Sequence, residues 1–155
     1  MTGREGGWLL TDNLDRAFGI LETIAHWAKA QENVRGLALV GSHARNAARP
    51  DSDIDLVVLA QNPRSFRDAA WLTTIEWSRA GVHPVKWSHE EYGVVWSLRA
   101  WFEPECEVEF GFASLSWADV SPVDEGTRRV ISDGCRVLYD PDGLLKRLTM
   151  AVACL

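Results

Sequence analysis

Two aspartates one residue apart, Asp53 and Asp55, stand at the start of an otherwise apolar run that continues through Leu56, Val57, Val58 and Leu59. In an extended strand residues two apart point the same way, so the two carboxylates share one face while Ile54, Leu56 and Val58 share the other. Like charges roughly 6–7 Å apart along a strand repel, and a divalent cation bound by oxygens is their natural neutraliser. The preceding "RPDSD", with Asp51 and Ser52, is turn composition and means little alone. Its surroundings carry more. Upstream, Gly41-Ser42 ends an apolar run and opens a predicted short helix over His43 to Ala48. Gly41 permits close backbone approach there, and Ser42 with the amides of a helix N-terminus suits phosphate oxygens. Downstream, in "ECEVEFGF", Glu109 sits between Val108 and Phe110, again an acid among apolar neighbours. On an adjacent strand it would complete a two-metal arrangement. Glu107, on the same strand face, is its rival.

These residues need a framework to hold them. From Asn13 to about Gln31, Leu14, Phe18, Leu21, Ile24, Ala25 and Ala28 recur at helical spacing, with Asp12 or Asn13 placed to cap the helix. Leu37 to Val40 reads as a buried strand, Pro50 stops the short helix, and Ile54 to Ala60 is a second strand closed by "QNP". Residues 65 to 80 read as a long helix ending at Gly81, followed by strands around Val82 to Trp87, Val94 to Phe102 and Glu105 to Phe112. After a loop and a short helix, "CRVLYD" is a last strand and "PDGLLKRLTMAVACL" a last helix with Pro141 near its first turn. The expected class is α/β (α+β), a mixed sheet flanked by helices. It forms one domain over 1–155, with a core at about 13–115, a small strand-helix appendage at about 124–155 and the site at a sheet edge.

Composition narrows the functions. With 16 basic against 22 acidic residues, net −6, and scattered arginines, a general nucleic-acid grip is not expected. No apolar run approaches the roughly 18 residues of a membrane span. "MTGREGGWLLTDN" lacks the charged start and apolar core of a secretory signal, so the expected location is cytoplasmic. Cys106, Cys135 and Cys154 are odd in number and form no CxxC, which points to reduced thiols. Eight tryptophans are expected to serve as core and groove walls. His43 reads as a surface residue, and His83 and His89, with no matching cysteine, do not form a zinc site. Arg45 has two roles open, phosphate binding or pairing with an acid. Lys86 and Arg99, on strands near the site, would either steady a leaving pyrophosphate or face solvent.

The segment "GSHARNAARPDSDIDL" resembles the signature of the DNA polymerase beta-like nucleotidyltransferase superfamily. That resemblance implies the nucleotidyltransferase fold. It also implies that Gly41 and Ser42, with Arg45, bind a nucleoside triphosphate, that Asp53 and Asp55 hold two Mg2+ ions, and that a third acid, best matched by Glu109, completes the site. It departs at Asn46, where a glycine is usual, although asparagine is among the residues that tolerate a left-handed backbone. It departs again in having Glu for the usual third Asp. The tail "SDGCRVLYDPDGLL" looks like small bacterial members related to aminoglycoside and lincosamide nucleotidyltransferases, enzymes of antibiotic resistance. The implied reaction is transfer of AMP from ATP to an acceptor hydroxyl, as on an aminoglycoside-like small molecule. Two other readings are a minimal nucleotidyltransferase antitoxin that modifies a toxin partner and a catalytically silent nucleotide-binding module.

Overall fold

A computed structural model describes the backbone of residues 2–49, 52–92 and 95–155, and the side chains of 15–49, 52–91 and 96–155. Pro50, Asp51 and Val94, read above as a helix stop, a turn residue and a strand start, lie outside the described residues, as do the side chains of Asp12 and Asn13. The elements in chain order are α1 (Thr2–Lys29), β1 (Val34–Val40), β2 (Ile54–Ala60), α2 (Ala70–Thr74), β3 (His83–Tyr92), β4 (Val95–Glu103), β5 (Cys106–Ser114), α3 (Glu125–Ser132), β6 (Cys135–Tyr139) and α4 (Leu144–Ala153). They build a six-stranded sheet ordered β3-β4-β5-β2-β1-β6. Only β2 and β5 run parallel; the other neighbours are antiparallel. The sheet is mixed and flanked by helices, as expected.

One face carries Ile54, Leu56, Val58, Val108, Phe110 and Phe112 and packs against α1 and the segment from Pro63 to Ala80. The buried stripe of α1 is Ala17, Ile20, Leu21, Ile24, Trp27 and Ala28, which recur at three- and four-residue steps. Phe18, counted above in that stripe, is instead 60% exposed, and Ile20 and Trp27 take the core positions. Trp27, Trp71, Trp77 and Trp96 are buried in this layer, whereas Trp87 is exposed.

The long helix read over 65–80 does not form. In its place stand a 3-10 turn at Pro63–Phe66, the short α2 and a second 3-10 turn at Trp77–Ala80, ended by Gly81 in the left-handed region. The buried indoles explain the breaks. Trp71 Nε1 donates to the Phe66 carbonyl at 2.7 Å and Trp77 Nε1 to the Leu72 carbonyl at 2.8 Å. A continuous helix commits both carbonyls to backbone amides four residues on, and a buried indole N–H without an acceptor is costly.

The other face is covered over only part of its area. Ala38, Val40, Val57, Leu59 and Ala113 are buried there with Ile131 of α3 and Leu145 and Leu148 of α4. Asp124 caps α3 by accepting from the Thr127 amide at 3.1 Å. Pro141 lies just ahead of the first turn of α4; Gly143 is the N-cap, and the Asp140 carboxylate accepts from the Leu145 and Lys146 amides. Arg35 of β1 donates two hydrogen bonds to Asp142, tying the segment between β6 and α4 to the sheet. Cys106, Cys135 and Cys154 are free thiols. Among the described residues, no helix is long and apolar enough to cross a membrane.

Candidate functional site

The parallel pairing of β2 with β5 sets Asp55 directly beside Glu109, and Ile54 beside Val108. Alternation puts Asp53, Asp55, Glu107 and Glu109 on the same side of the sheet. The antiparallel pairing of β5 with β4 then sets Arg99 opposite Glu109 and Trp101 opposite Glu107. Three adjacent strands therefore present one row, Asp55, Glu109 and Arg99, and beside it a second row containing Asp53, Glu107 and Trp101. β2 and β5 are the two central strands, so the acids lie at one end of the middle of the sheet, not at the sheet edge expected above.

Arg99 joins the carboxylates. Its Nη1 donates to Asp53 Oδ2 at 3.1 Å and to Glu107 Oε1 at 2.8 Å, and its Nη2 donates to Glu109 Oε2 at 2.5 Å. Its side chain is 25% exposed, so it is a wall of the site rather than a solvent-facing strand residue. These bonds, that to Glu107 foremost, push the guanidinium pKa up. Four carboxylates on one patch exceed what a single cation offsets. Burial first, then the charges of Glu109 and Asp53, push the Asp55 carboxyl up to about 6. Burial and Glu107 raise Asp53 as well, against the opposing effect of Arg99.

The Gly41 turn reaches this cluster because Val40 pairs with Asp55 at the end of β1. Gly41 has φ +76°, and a Cβ there would lie 2.7 Å from Asp55 Oδ2, so glycine is needed both for the backbone and for the space. The short helix expected over His43 to Ala48 is a turn instead. Ala44 N donates to the Gly41 carbonyl at 3.1 Å and Ala47 N to the Ser42 carbonyl at 2.9 Å, and Asn46 takes the left-handed conformation at φ 56°. That left-handed residue stops helical propagation, and the tolerance read for Asn46 is used. His43 Nε2 lies 3.3 Å from the Ser52 carbonyl and ties the turn to the segment entering Asp53.

Arg45 pairs with an acid. Its Nη1 donates to Asp133 Oδ2 at 3.1 Å, beyond the C-terminus of α3. The next residue, Gly134, presses on the turn: a Cβ there would meet Arg45 Cβ at 3.2 Å and the Gly41 carbonyl at 3.4 Å. Asp133 and Gly134 were not singled out from the sequence. The glycine immediately before a strand-like run in "SDGCRVLY" was the available signal, since glycine at such a position marks a close backbone approach. A cavity of about 360 Å³ opens where these parts meet, lined by Val40, Gly41, Asp55, Glu109, Gly111 and Asp133 among others. That volume is at the lower end of small-ligand sites.

Among the described residues, no three acid, histidine or cysteine side chains converge closely enough to hold a metal ion as they stand. The Arg99 guanidinium is bonded to three of the acids at once. The donor set nevertheless suits a hard divalent cation: all-oxygen, anionic, on one face and under-neutralised. Asp53, Asp55, Glu107 and Glu109 supply those oxygens.

The nucleotidyltransferase domain family matches residues 21–105, more than half of the chain, spanning the Gly41 turn, the aspartate pair and Arg99 and ending before Glu107 and Glu109. No curated protein matches the chain.

Proposed function

Because the chain belongs to the nucleotidyltransferase domain family, we propose that it moves AMP from ATP to the hydroxyl of a small-molecule acceptor, using two Mg2+ ions. The observation that carries this reading is the row formed by Asp55 and Glu109 on paired strands, with Asp53 on the same face and the glycine turn against Asp55. Asp53 and Asp55 would hold the ions, with Glu109 as the third ligand. When bound, such ions neutralise the triphosphate and acidify the acceptor hydroxyl. Gly41 and Ser42 seat the triphosphate beside Asp55, and Arg45 stiffens that turn through Asp133. The acceptor oxygen bonds to the α-phosphorus, the bond from that phosphorus to the bridging oxygen breaks, pyrophosphate leaves, and Glu109 takes the hydroxyl proton. Catalysis of this kind is positioning and charge neutralisation.

An aminoglycoside-like acceptor is supported by the likeness of the tail "SDGCRVLYDPDGLL" and by the net acidic patch, which favours a cationic partner. We read residues 1–155 as one working unit, because β6 completes the sheet beside β1. The experiment is pyrophosphate release with each nucleoside triphosphate, Mg2+ and an acceptor panel. Release confined to ATP and a hydroxylated cationic acceptor is expected; no release with any nucleotide that binds would overturn the reading. The second reading, a silent nucleotide-binding module, is favoured by one observation, the three ion pairs that engage Arg99 with the acids. Nucleotide binding without turnover would select it.

A further inference from the structure

Three of the acids in the cluster already have a cation, supplied by the chain itself. Nη1 of Arg99 serves Asp53 and Glu107, and Nη2 serves Glu109. Two of these acceptors, Asp53 and Glu109, are proposed metal ligands, so the guanidinium and a divalent ion compete for the same carboxylates. We propose that Arg99 is a positioning residue that holds the metal seat until the ions arrive and then passes to the triphosphate, so that metal and nucleotide load together. This rests on the nucleotidyltransferase reading above.

The register makes Arg99 part of the site rather than a neighbour of it. It stands across from Glu109, which stands beside Asp55, on three adjacent strands. The fork is suited to the task, because a planar guanidinium serves several carboxylates at once where an ammonium is a single point charge. The charges also change sign in the right order. Four carboxylates and one guanidinium leave the cluster anionic, and two divalent ions more than offset that excess. Arg99 then loses its attraction to the acids at the moment a polyanionic triphosphate is beside it, and guanidinium to phosphate is a strong, frequently bidentate pairing. Lys86 does not substitute for it, since its ammonium lies 4.6 Å from the centre of the Trp101 ring, in the next row. If Arg99 served only the acids and never the triphosphate, removing it would raise metal affinity but leave nucleotide affinity at saturating metal unchanged.

The test is Mn2+ binding to the full chain by calorimetry, with and without a non-hydrolysable ATP analogue. Arg99→Met is expected to bind Mn2+ alone at least about tenfold more tightly than the parent, because a competing cation is gone. With Mn2+ saturating, the same variant is expected to bind the analogue about tenfold more weakly, because a phosphate ligand is gone. Arg99→Lys should fall between. Unchanged or weaker Mn2+ affinity in Arg99→Met, with the parent still binding Mn2+ in the presence of the analogue, overturns the proposal and leaves the nucleotidyltransferase reading standing. Absence of Mn2+ binding in the parent, with or without analogue, overturns both. Should Arg99→Met fail to fold, Arg99→Lys, which keeps the charge but loses the fork, is read in its place: a gain of about threefold in Mn2+ affinity is then expected and its absence overturns the proposal.

Discussion

Asp55 and Leu59 point to the same face of β2, four residues apart, yet Leu59 is buried with Ile131, Leu145 and Leu148 while Asp55 borders an open cavity, and Val57 between them touches both. The same change runs along β5, where Glu109 lines the cavity and Ala113 is packed in the apolar cluster. The strands are continuous across this boundary; the cover is not. α3 ends at Ser132, and the next residue, Asp133, already lines the cavity. Uncompensated carboxylates under the helices would lose their hydration at a cost of several kcal/mol each. The helices therefore decide where along these strands an acid is tolerated, and the site occupies the part they leave bare.

If the two regions divide chemistry from stability, substitutions on either side should separate the two properties. Asp55→Asn or Asp53→Asn should lower turnover by about a thousandfold or more, roughly 4 kcal/mol of transition-state stabilisation, while circular dichroism shows the fold retained. Wild-type turnover in either variant with Mg2+ present would dissolve the comparison. On the covered side, Leu148→Ala empties a fully buried position. It should cost about 2–5 kcal/mol in denaturant unfolding and leave turnover per folded molecule near the parent value. Within the bare half, Glu109→Gln should lose about a hundredfold in turnover and Glu107→Gln only a fewfold, because Glu109 is the one paired with Asp55. A large loss confined to Glu107→Gln would exchange their roles.

Smaller effects lie at the boundary itself. Gly41→Ala adds a methyl against Asp55 Oδ2 at a left-handed backbone position. It should destabilise by about 1–2 kcal/mol, with a matching rise in the KM for nucleotide. The smallest is a dependence on acidity. Asp55 keeps its proton up to about 6 in the folded chain against the ordinary 3.8, so the folded state binds that proton more tightly than the unfolded one. This contribution to stability is complete below the ordinary value and is lost as pH rises through about 6. With chelator present, the protein should be more stable near pH 5 than near pH 7.5 by about 1 kcal/mol at most from this group, after discounting for its partial exposure. Asp55→Asn should flatten the difference in thermal unfolding.

What was legible in the sequence follows from which forces act locally. β2 runs Ile54–Ala60, as read, because an apolar run ended by "QNP" carries its own limits. Gly41 and Asn46 both take the left-handed backbone their residue types permit. Over 65–80 the helical period is real, but the acceptors of two indole N–H groups, invisible in one dimension, break the helix that period predicts. The central position of the acids was hidden for another reason. Pairing β2 with β5 in parallel joins segments about fifty residues apart, and register between distant strands leaves no local trace. The sequence puts Arg99 on a strand near the site, but only the register across β4 and β5 shows which acids it meets.

The wall that Asp133 and Gly134 set against the Gly41 turn comes late in the chain. Arg45 and Asp133 are 88 residues apart. At roughly 5–20 residues per second of synthesis, the turn leaves the ribosome on the order of ten seconds before the segment that steadies it. Every proposed metal ligand of the site is made in that interval. A nascent chain halted before β6 holds the full set of acids and Arg99 with one side of the turn unsupported, so the carboxylates of this domain are made before the wall of the cavity they line.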